Sequence, residues 1–186
     1  SKLRTTKSRN SVGVRGIKLA KNDSIISLSI LSHLEVSSDE AKAYLKMSKV
    51  NKENNEDLDD ESHSDETEDI TISEDRFQEL KACEQFVLTV TENGFGKRTS
   101  SYQFRVTNRG GSGIMCITTS SRNGNVLASF PVSHEDDIML ITKSGQLIRC
   151  PVIDIRVAGR NTQGVSIFKT SDSEKVVSAS RVEIEN

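Results

Sequence analysis

Phe86-Val87-Leu88-Thr89-Val90-Thr91-Glu92-Asn93-Gly94-Phe95-Gly96-Lys97-Arg98 is the stretch on which the fold turns. Its first half is crowded with β-branched and aromatic residues. Asn93-Gly94 supplies a tight turn, and a short return run carries two basic residues, so the whole reads as a β-hairpin. The pattern comes back 51 residues later. There Ile138-Met139-Leu140-Ile141-Thr142 leads into Lys143-Ser144-Gly145 and returns through a strand carrying Arg149. In one ungapped register Thr91, Gly94, Arg98, Arg105, Arg109 and Gly113 recur as Thr142, Gly145, Arg149, Arg156, Arg160 and Gly164. A third copy is partial: Arg9, Gly13 and Ile17 stand 100 residues before Arg109, Gly113 and Ile117.

Outward from the hairpin, each unit continues through a linker with two spaced arginines. A strand follows at Ile114–Ile117 or Val165–Phe168, and a last strand at Ile25–Ile30, Val126–Phe130 or Val176–Ser180. Four short strands in roughly 50 residues predict a blade, and hence an all-β fold of the β-propeller or β-pinwheel kind. Residues 1–32 and 86–186 read as blades and residues 33–85 as an insertion between two of them. Without the insertion the body holds about 2.7 repeats, fewer than the four or more blades of a closed ring, so a partial ring is expected. The repeated glycines Gly94, Gly145, Gly113 and Gly164 read as turn and strand-crossing positions.

The insertion has a different chemistry. Asn51 to Asp69 is a polar, acidic run with almost no apolar residues and is expected to be disordered. Its flanks predict short helices, one capped around Ser38-Asp39-Glu40-Ala41 and one capped by Ser73 and running through Phe77 and Leu80. Residues 33–85 hold 17 Asp/Glu and 6 Lys/Arg, a net of −11, whereas the other 133 residues hold 19 Lys/Arg and 10 Asp/Glu, a net of +9. The overall −2 therefore averages a basic body with an acidic segment. That segment reads first as a solvated loop and second as a tethered competitor for the basic body.

Catalysis finds little support. His33 and His63 lie in the insertion and His134 in an acidic loop, and none pairs with a Cys, Ser or carboxylate in a recognisable arrangement. No phosphate-binding glycine loop or dinucleotide fingerprint occurs. Glu135-Asp136-Asp137 reads as a solvated loop before it reads as a cation site, so no metal and no cofactor are expected. Cys83, Cys116 and Cys150 show no CxxC spacing, which predicts neither a disulfide framework nor zinc and fits a reducing compartment. No apolar run reaches the roughly 20 residues of a membrane span. The chain opens at Ser1-Lys2-Leu3-Arg4 without an apolar leader or an initiator Met, which predicts a fragment or processed chain in the cytoplasm.

A β core needs apolar residues and glycines to repeat, but it has no need of repeating arginines. Arg105, Arg109, Arg156 and Arg160 flank turn-forming stretches, Lys97, Arg98 and Arg149 sit on the neighbouring strands, and the first unit adds Lys7, Arg9, Arg15 and Lys18. In a circular array equivalent positions share one face, so arginines repeated per blade predict a curved basic stripe. Such a stripe matches duplex DNA, with one charge per about 1.7 Å of axis. The guanidinium fork suits phosphate, and Gly110, Gly111 and Gly159 allow backbone amides to approach it. Few aromatics accompany these residues, which favours duplex backbone contact over stacking on single strands. The rival reading is a propeller-type module whose basic rim recognises an acidic protein.

Three motifs carry a resemblance: Gly13-Val14-Arg15-Gly16-Ile17-Lys18-Leu19, Thr91-Glu92-Asn93-Gly94-Phe95-Gly96-Lys97-Arg98-Thr99, and Gly159-Arg160-Asn161-Thr162-Gln163-Gly164-Val165. They resemble the C-terminal domain of bacterial DNA gyrase A over residues 1–32 and 86–182. The resemblance implies a six-bladed β-pinwheel whose basic rim bends duplex DNA. It further implies partnership with the rest of gyrase A and with gyrase B in ATP-dependent negative supercoiling. That family's basic heptapeptide box finds only a partial counterpart in Thr107-Asn108-Arg109-Gly110-Gly111-Ser112-Gly113, which predicts later blades of the ring. Tyr44 and Tyr102 lie outside any cleavage-domain context, so the DNA-breaking tyrosine is not expected here. The related C-terminal propeller of topoisomerase IV is the alternative within the same resemblance.

Overall fold

The computed structural model describes residues 5–32, 34–53, 71–169 and 174–182. In chain order the elements are α1 (Ser38–Glu53), α2 (Glu74–Ala82), β1 (Phe86–Thr91), β2 (Phe95–Ser100), β3 (Val126–Val132), β4 (Asp137–Thr142), β5 (Leu147–Pro151), β6 (Val165–Ser166) and β7 (Val176–Val182). Single 3-10 turns follow β2 at Ser101–Gln103 and β5 at Val152–Asp154.

The repeat folds as a repeat. β1 pairs antiparallel with β2 and β3, and β4 pairs the same way with β5 and β7. Each central strand carries an irregularity at the same place, between Val90 and Thr91 and between Ile141 and Thr142. Gly94 and Gly145 then turn the hairpins at φ of 76° and 87°, a region glycine enters without a Cβ penalty. Leu88, Val90, Ile138, Leu140, Val152 and Val176 are buried in one apolar cluster, each contributing about 1.5–3 kcal/mol on full burial. The reverse face of β1 is buried too, and its polar groups are paired: Thr89 Oγ1 lies 3.3 Å from Ser129 Oγ, and Thr91 Oγ1 donates to the Phe95 carbonyl at 3.2 Å.

Neighbouring units share strands. β6 follows β5 in sequence yet pairs with β2, so the four-stranded sheet runs β3-β1-β2-β6 while the sheet β5-β4-β7 has three strands. A Cβ on Gly96 would lie 2.5 Å from Ile167 Cδ1 and 2.6 Å from the Thr89 carbonyl oxygen, so only glycine admits the incoming strand.

Strand donation explains where the expected strands differ. Ile114–Ile117 and Ile25–Ile30 are not strands, and Val165–Phe168 shortens to Val165–Ser166. Ile114–Ile117 is the counterpart of β6, and among the described residues no β2-like strand stands beside it. Ile25–Ile30 is the counterpart of β3, without a β1-like partner among the described residues. It lies instead against β3, where Ser27 Oγ donates to the Ser129 carbonyl at 2.8 Å.

The flanks of the insertion form a helical pair. Ser37 and Glu40 cap α1 reciprocally, with Glu40 N donating to Ser37 Oγ at 3.1 Å and Ser37 N to the Glu40 carboxylate at 2.9 Å. The cap is therefore Ser37, one residue before the expected Ser38. Ser73 caps α2, accepting from Arg76 N at 3.3 Å. Tyr44, Phe77 and Leu80 form a small buried cluster, and the Tyr102 hydroxyl reaches out from the blade to the Leu80 carbonyl at 2.8 Å. Arg76 braces the helices through Glu40 at 3.0 Å and the Glu35 carbonyl at 2.9 Å. Entry and exit are clamped by the Gln85 amide, which accepts from Ser32 N at 2.8 Å and donates to the Ser32 carbonyl at 2.9 Å. Of the expected disordered run, Asn51 to Glu53 end α1 and the remainder lies outside the described residues.

Candidate nucleic-acid interface

The linker 153–162 lies along β2 of the preceding unit. Arg98 N donates to the Arg156 carbonyl at 3.0 Å, Ala158 N donates to the Arg98 carbonyl at 2.9 Å, and Thr99 Oγ1 donates to the Ala158 carbonyl at 3.1 Å. The side chains of Lys97 and Arg98 complete the attachment. Lys97 Nζ donates to the Gly159 carbonyl, to the Arg160 carbonyl at 2.9 Å and to Thr162 O at 3.1 Å. Arg98 Nε donates to the Ile155 carbonyl at 2.6 Å, Nη2 to the Ile153 carbonyl at 3.1 Å, and Nη1 meets His134 Nδ1 at 2.7 Å. An imidazole nitrogen that accepts from guanidinium carries no proton, so the ring proton sits on Nε2.

These two basic residues therefore stand apart from the stripe expected of them. Lys97 is 0% and Arg98 5% exposed, and burial pushes the Lys97 ammonium down to about 8 and holds the Arg98 guanidinium below its ordinary value. Their donors are turned inward onto carbonyls, where they act as braces between units.

The linker arginines are placed otherwise. Arg105, Arg109 and Arg156 are exposed, and Arg160 is half-buried, donating through Nη1 to the Met115 carbonyl at 2.9 Å. Arg9 and Arg15 are exposed on the first segment. That segment docks on the second linker through Lys18 N to the Gly111 carbonyl at 2.8 Å. Thr118 N to the Thr162 carbonyl at 3.1 Å is the same bond one unit later. The three segments thus succeed one another by a common geometry, and Arg9, Arg109 and Arg160 occupy the same place in it. Arg149, on β5, is exposed and pairs with Asp137 at 2.5 Å.

Two basic features escaped the sequence reading. Arg122 is exposed over the Phe95 ring at 5.0 Å, but its position does not repeat, so the register gave no signal for it. Lys42, Lys46 and Lys49 line one exposed face of α1, concealed by the −11 total of the insertion.

No group of three His, Cys, Asp or Glu is gathered for a metal ion among the described residues. Asp136 accepts from Ser133 N at 2.6 Å and pairs with Arg181 at 3.7 Å, so with Asp137 it serves turn and ion pair rather than an open ligand set. Tyr44 is 1% exposed, its hydroxyl donates to Glu84 at 2.9 Å, and burial raises its pKa. No helix among the described residues is long and apolar enough to cross a membrane.

The family model described as the DNA gyrase C-terminal domain, a beta-propeller, matches residues 1–32, 85–133 and 136–183, leaving out most of the insertion. The DNA gyrase A of Rickettsia bellii is 44% identical over 180 residues, covering 97% of this chain and 20% of the relative. That of Haemophilus influenzae is 36% identical over 174 residues, covering 94% of the chain and 17% of the relative. The chain thus spans about a fifth of the length of these relatives. A solved structure of a DNA gyrase A C-terminal domain superposes with a TM-score of 0.50 at 26% identity, over 53% of this chain and 33% of that one. With the shared strands, the repeated hairpins and a family match over more than two thirds of its length, this chain belongs to the DNA gyrase C-terminal domain family.

Proposed function

We propose that this chain binds duplex DNA along its linker arginines. Within a DNA gyrase A in the cytoplasm, it wraps that DNA in support of ATP-dependent negative supercoiling, together with the rest of gyrase A and with gyrase B. The observation that carries this reading is the succession of Arg9, Arg109 and Arg160 at one repeated place, with Arg105 and Arg156 exposed beside them. Guanidinium groups repeated from one unit to the next suit a phosphate backbone, and without base-reading chemistry the binding is sequence-independent. Phosphate contact of this kind calls for no cofactor and no metal.

A gel-shift titration of the full chain with duplex DNA tests it. With about six phosphates neutralised, log K falls against log salt with a slope of about −5. Reversing Arg105, Arg109, Arg156 and Arg160 together to Glu abolishes the shift, while reversing Lys175 leaves it nearly intact. An affinity indifferent to salt overturns the proposal.

A further inference from the structure

The second unit is built on β1, β2 and β3 and the third on β4, β5 and β7, and the two are stacked face to face. Cross-strand partners share a sheet face, so Phe86, Leu88, Val90, Phe130 and Val132 line one face of the second unit. That face packs against Ile138, Leu140 and Val176 of the third unit in a single apolar cluster. Strand register gives the residues at the same places on the third unit's outer face. Asp137 stands for Phe86, Met139 for Leu88, Ile141 for Val90, Ser178 for Ala128 and Ser180 for Phe130. Both aromatic places have thus become polar. Asp137 is ion-paired with Arg149, and Ser178 and Ser180 are exposed, whereas Leu88 and Val90 are fully buried.

The sheet edge differs in the same sense. β2 takes β6 along its edge, while β5 in the same place pairs with β4 alone among the described residues. β2 receives the following unit at Gly96, which leaves room for Ile167. Lys97 Nζ and Thr99 Oγ1 then hold the Arg160 and Ala158 carbonyls. At those three places β5 has Leu147, Ile148 and Cys150. Leucine fills the space that the incoming strand needs, isoleucine donates nothing, and a thiol is a weak donor.

We propose that the third unit caps the array: its outer face stays in water, no unit docks along β5 in the manner of β2, and the ring stands open there. A stack of repeated units needs a terminal member with a polar outer face, because an apolar one left uncovered associates. Asp137, Ser178 and Ser180 supply that polarity, and Leu147 bars the strand donor. A further linker has no seat on β5, so the track of linker arginines ends with Arg156 and Arg160. The cap follows from the residues of this face and does not depend on the DNA-binding reading.

Hydrogen exchange in a full-length DNA gyrase A carrying this chain, free of DNA and read residue by residue, tests the edge. Thr142 N donates to the Gln146 carbonyl at 2.9 Å, so along β5 Ile148 and Cys150 turn toward β4 and Leu147 and Arg149 turn outward. The Leu147 and Arg149 amides exchange faster than the Arg98 amide, which donates to the Arg156 carbonyl, by about tenfold or more. Protection at Ile148 and Cys150 verifies that β5 is folded. A smaller difference means that a unit is seated on β5 and overturns the proposal. The face is read separately with Ser180→Cys, a surface change that leaves the fold intact. Maleimide labelling at that position, located by peptide mapping, proceeds in the native full-length protein within about tenfold of its rate in the urea-unfolded protein. Slower labelling shows the face covered and overturns the cap. Neither readout involves DNA, so either reading can fail without the other.

Discussion

β2 and β5 hold the same place in successive units, yet their side chains live in opposite environments. Gly96, Lys97 and Arg98 on β2 correspond to Leu147, Ile148 and Arg149 on β5. The β2 residues are buried, whereas Leu147 is 63% exposed and Arg149 is exposed. The strands themselves do not make the difference. The cover that β2 has and β5 lacks comes largely from the unit after it: β6 along its edge, Ile167 over Gly96, and the carbonyls of 153–162 around Lys97 and Arg98. Linkers show the same contrast: Phe104 is half-buried and Val106 80% exposed, while their counterparts Ile155 and Val157 are 2% exposed and half-buried. Lys97 and Arg98 brace the unit that covers them, whereas Arg149, at the same place as Arg98, stays exposed. Cover from a neighbouring unit, rather than charge or place in the repeat, assigns the role.

The largest effect follows from removing a brace. Arg98→Ala strips the Ile153 and Ile155 carbonyls of their donors inside the protein, at about 3–4 kcal/mol. Urea unfolding of the purified variant measures this. A loss below about 1 kcal/mol would mean that water reaches those carbonyls and that β2 is no more covered than β5.

A glycine pair sharpens the same contrast with a smaller effect. Gly113 and Gly164 are repeat counterparts at φ of 80° and 78°, so alanine at either is strained by about 1–2 kcal/mol. Only Gly164 faces a neighbour's backbone. A Cβ there would lie 2.7 Å from the Gly96 carbonyl oxygen, whereas at Gly113 the nearest atom is the flexible end of Ile17 at 3.2 Å. Gly164→Ala therefore exceeds Gly113→Ala by about 1–2 kcal/mol in thermal or urea unfolding, since backbone yields less readily than a side-chain tip. Equal losses would place the cost in φ alone and remove the argument for close strand donation.

These contrasts mark how far the sequence carries. The hairpins, the 51-residue register, the blade architecture and the two helical flanks were all legible, because they rest on local turn chemistry and β-branched runs that need no partner. Strand donation was not legible. Val165–Ser166 is too short to declare its partner, and Ile114–Ile117 has the composition of a strand without one. Lys97 read as a surface residue because lysine is almost never buried. The register held a quiet signal all the same: a position that is Lys in one unit and Ile in the next, beside one that is Gly and then Leu, faces different surroundings in the two. Likewise Ser37-x-x-Glu40 spelled the helix cap one residue ahead of Ser38.

Arg149→Ala carries the smallest expected effect and probes the comparison most directly, because it deletes the same residue type from the same place as Arg98→Ala. Arg149 Nε meets Asp137 at 2.5 Å, but the arginine side chain is 55% exposed while the carboxylate is 11% exposed. An arginine in water gains little from one carboxylate, and its flexible stem loses entropy in holding the pair, so an exposed pair of this kind is worth about 0–1 kcal/mol. The nearly buried carboxylate pulls the figure toward the upper end, since Asp137 keeps only part of its hydration once the guanidinium is gone. Arg149→Ala should accordingly lower stability by less than about 1 kcal/mol, with the loss shrinking as salt rises and screens the pair. Urea unfolding at low and high salt reads both quantities. A loss matching that of Arg98→Ala, and indifferent to salt, would mean that β5 is covered as fully as β2 and that burial is intrinsic to the strand. A small, salt-sensitive loss leaves the following unit as the main source of the difference between two arginines that the repeat makes equivalent.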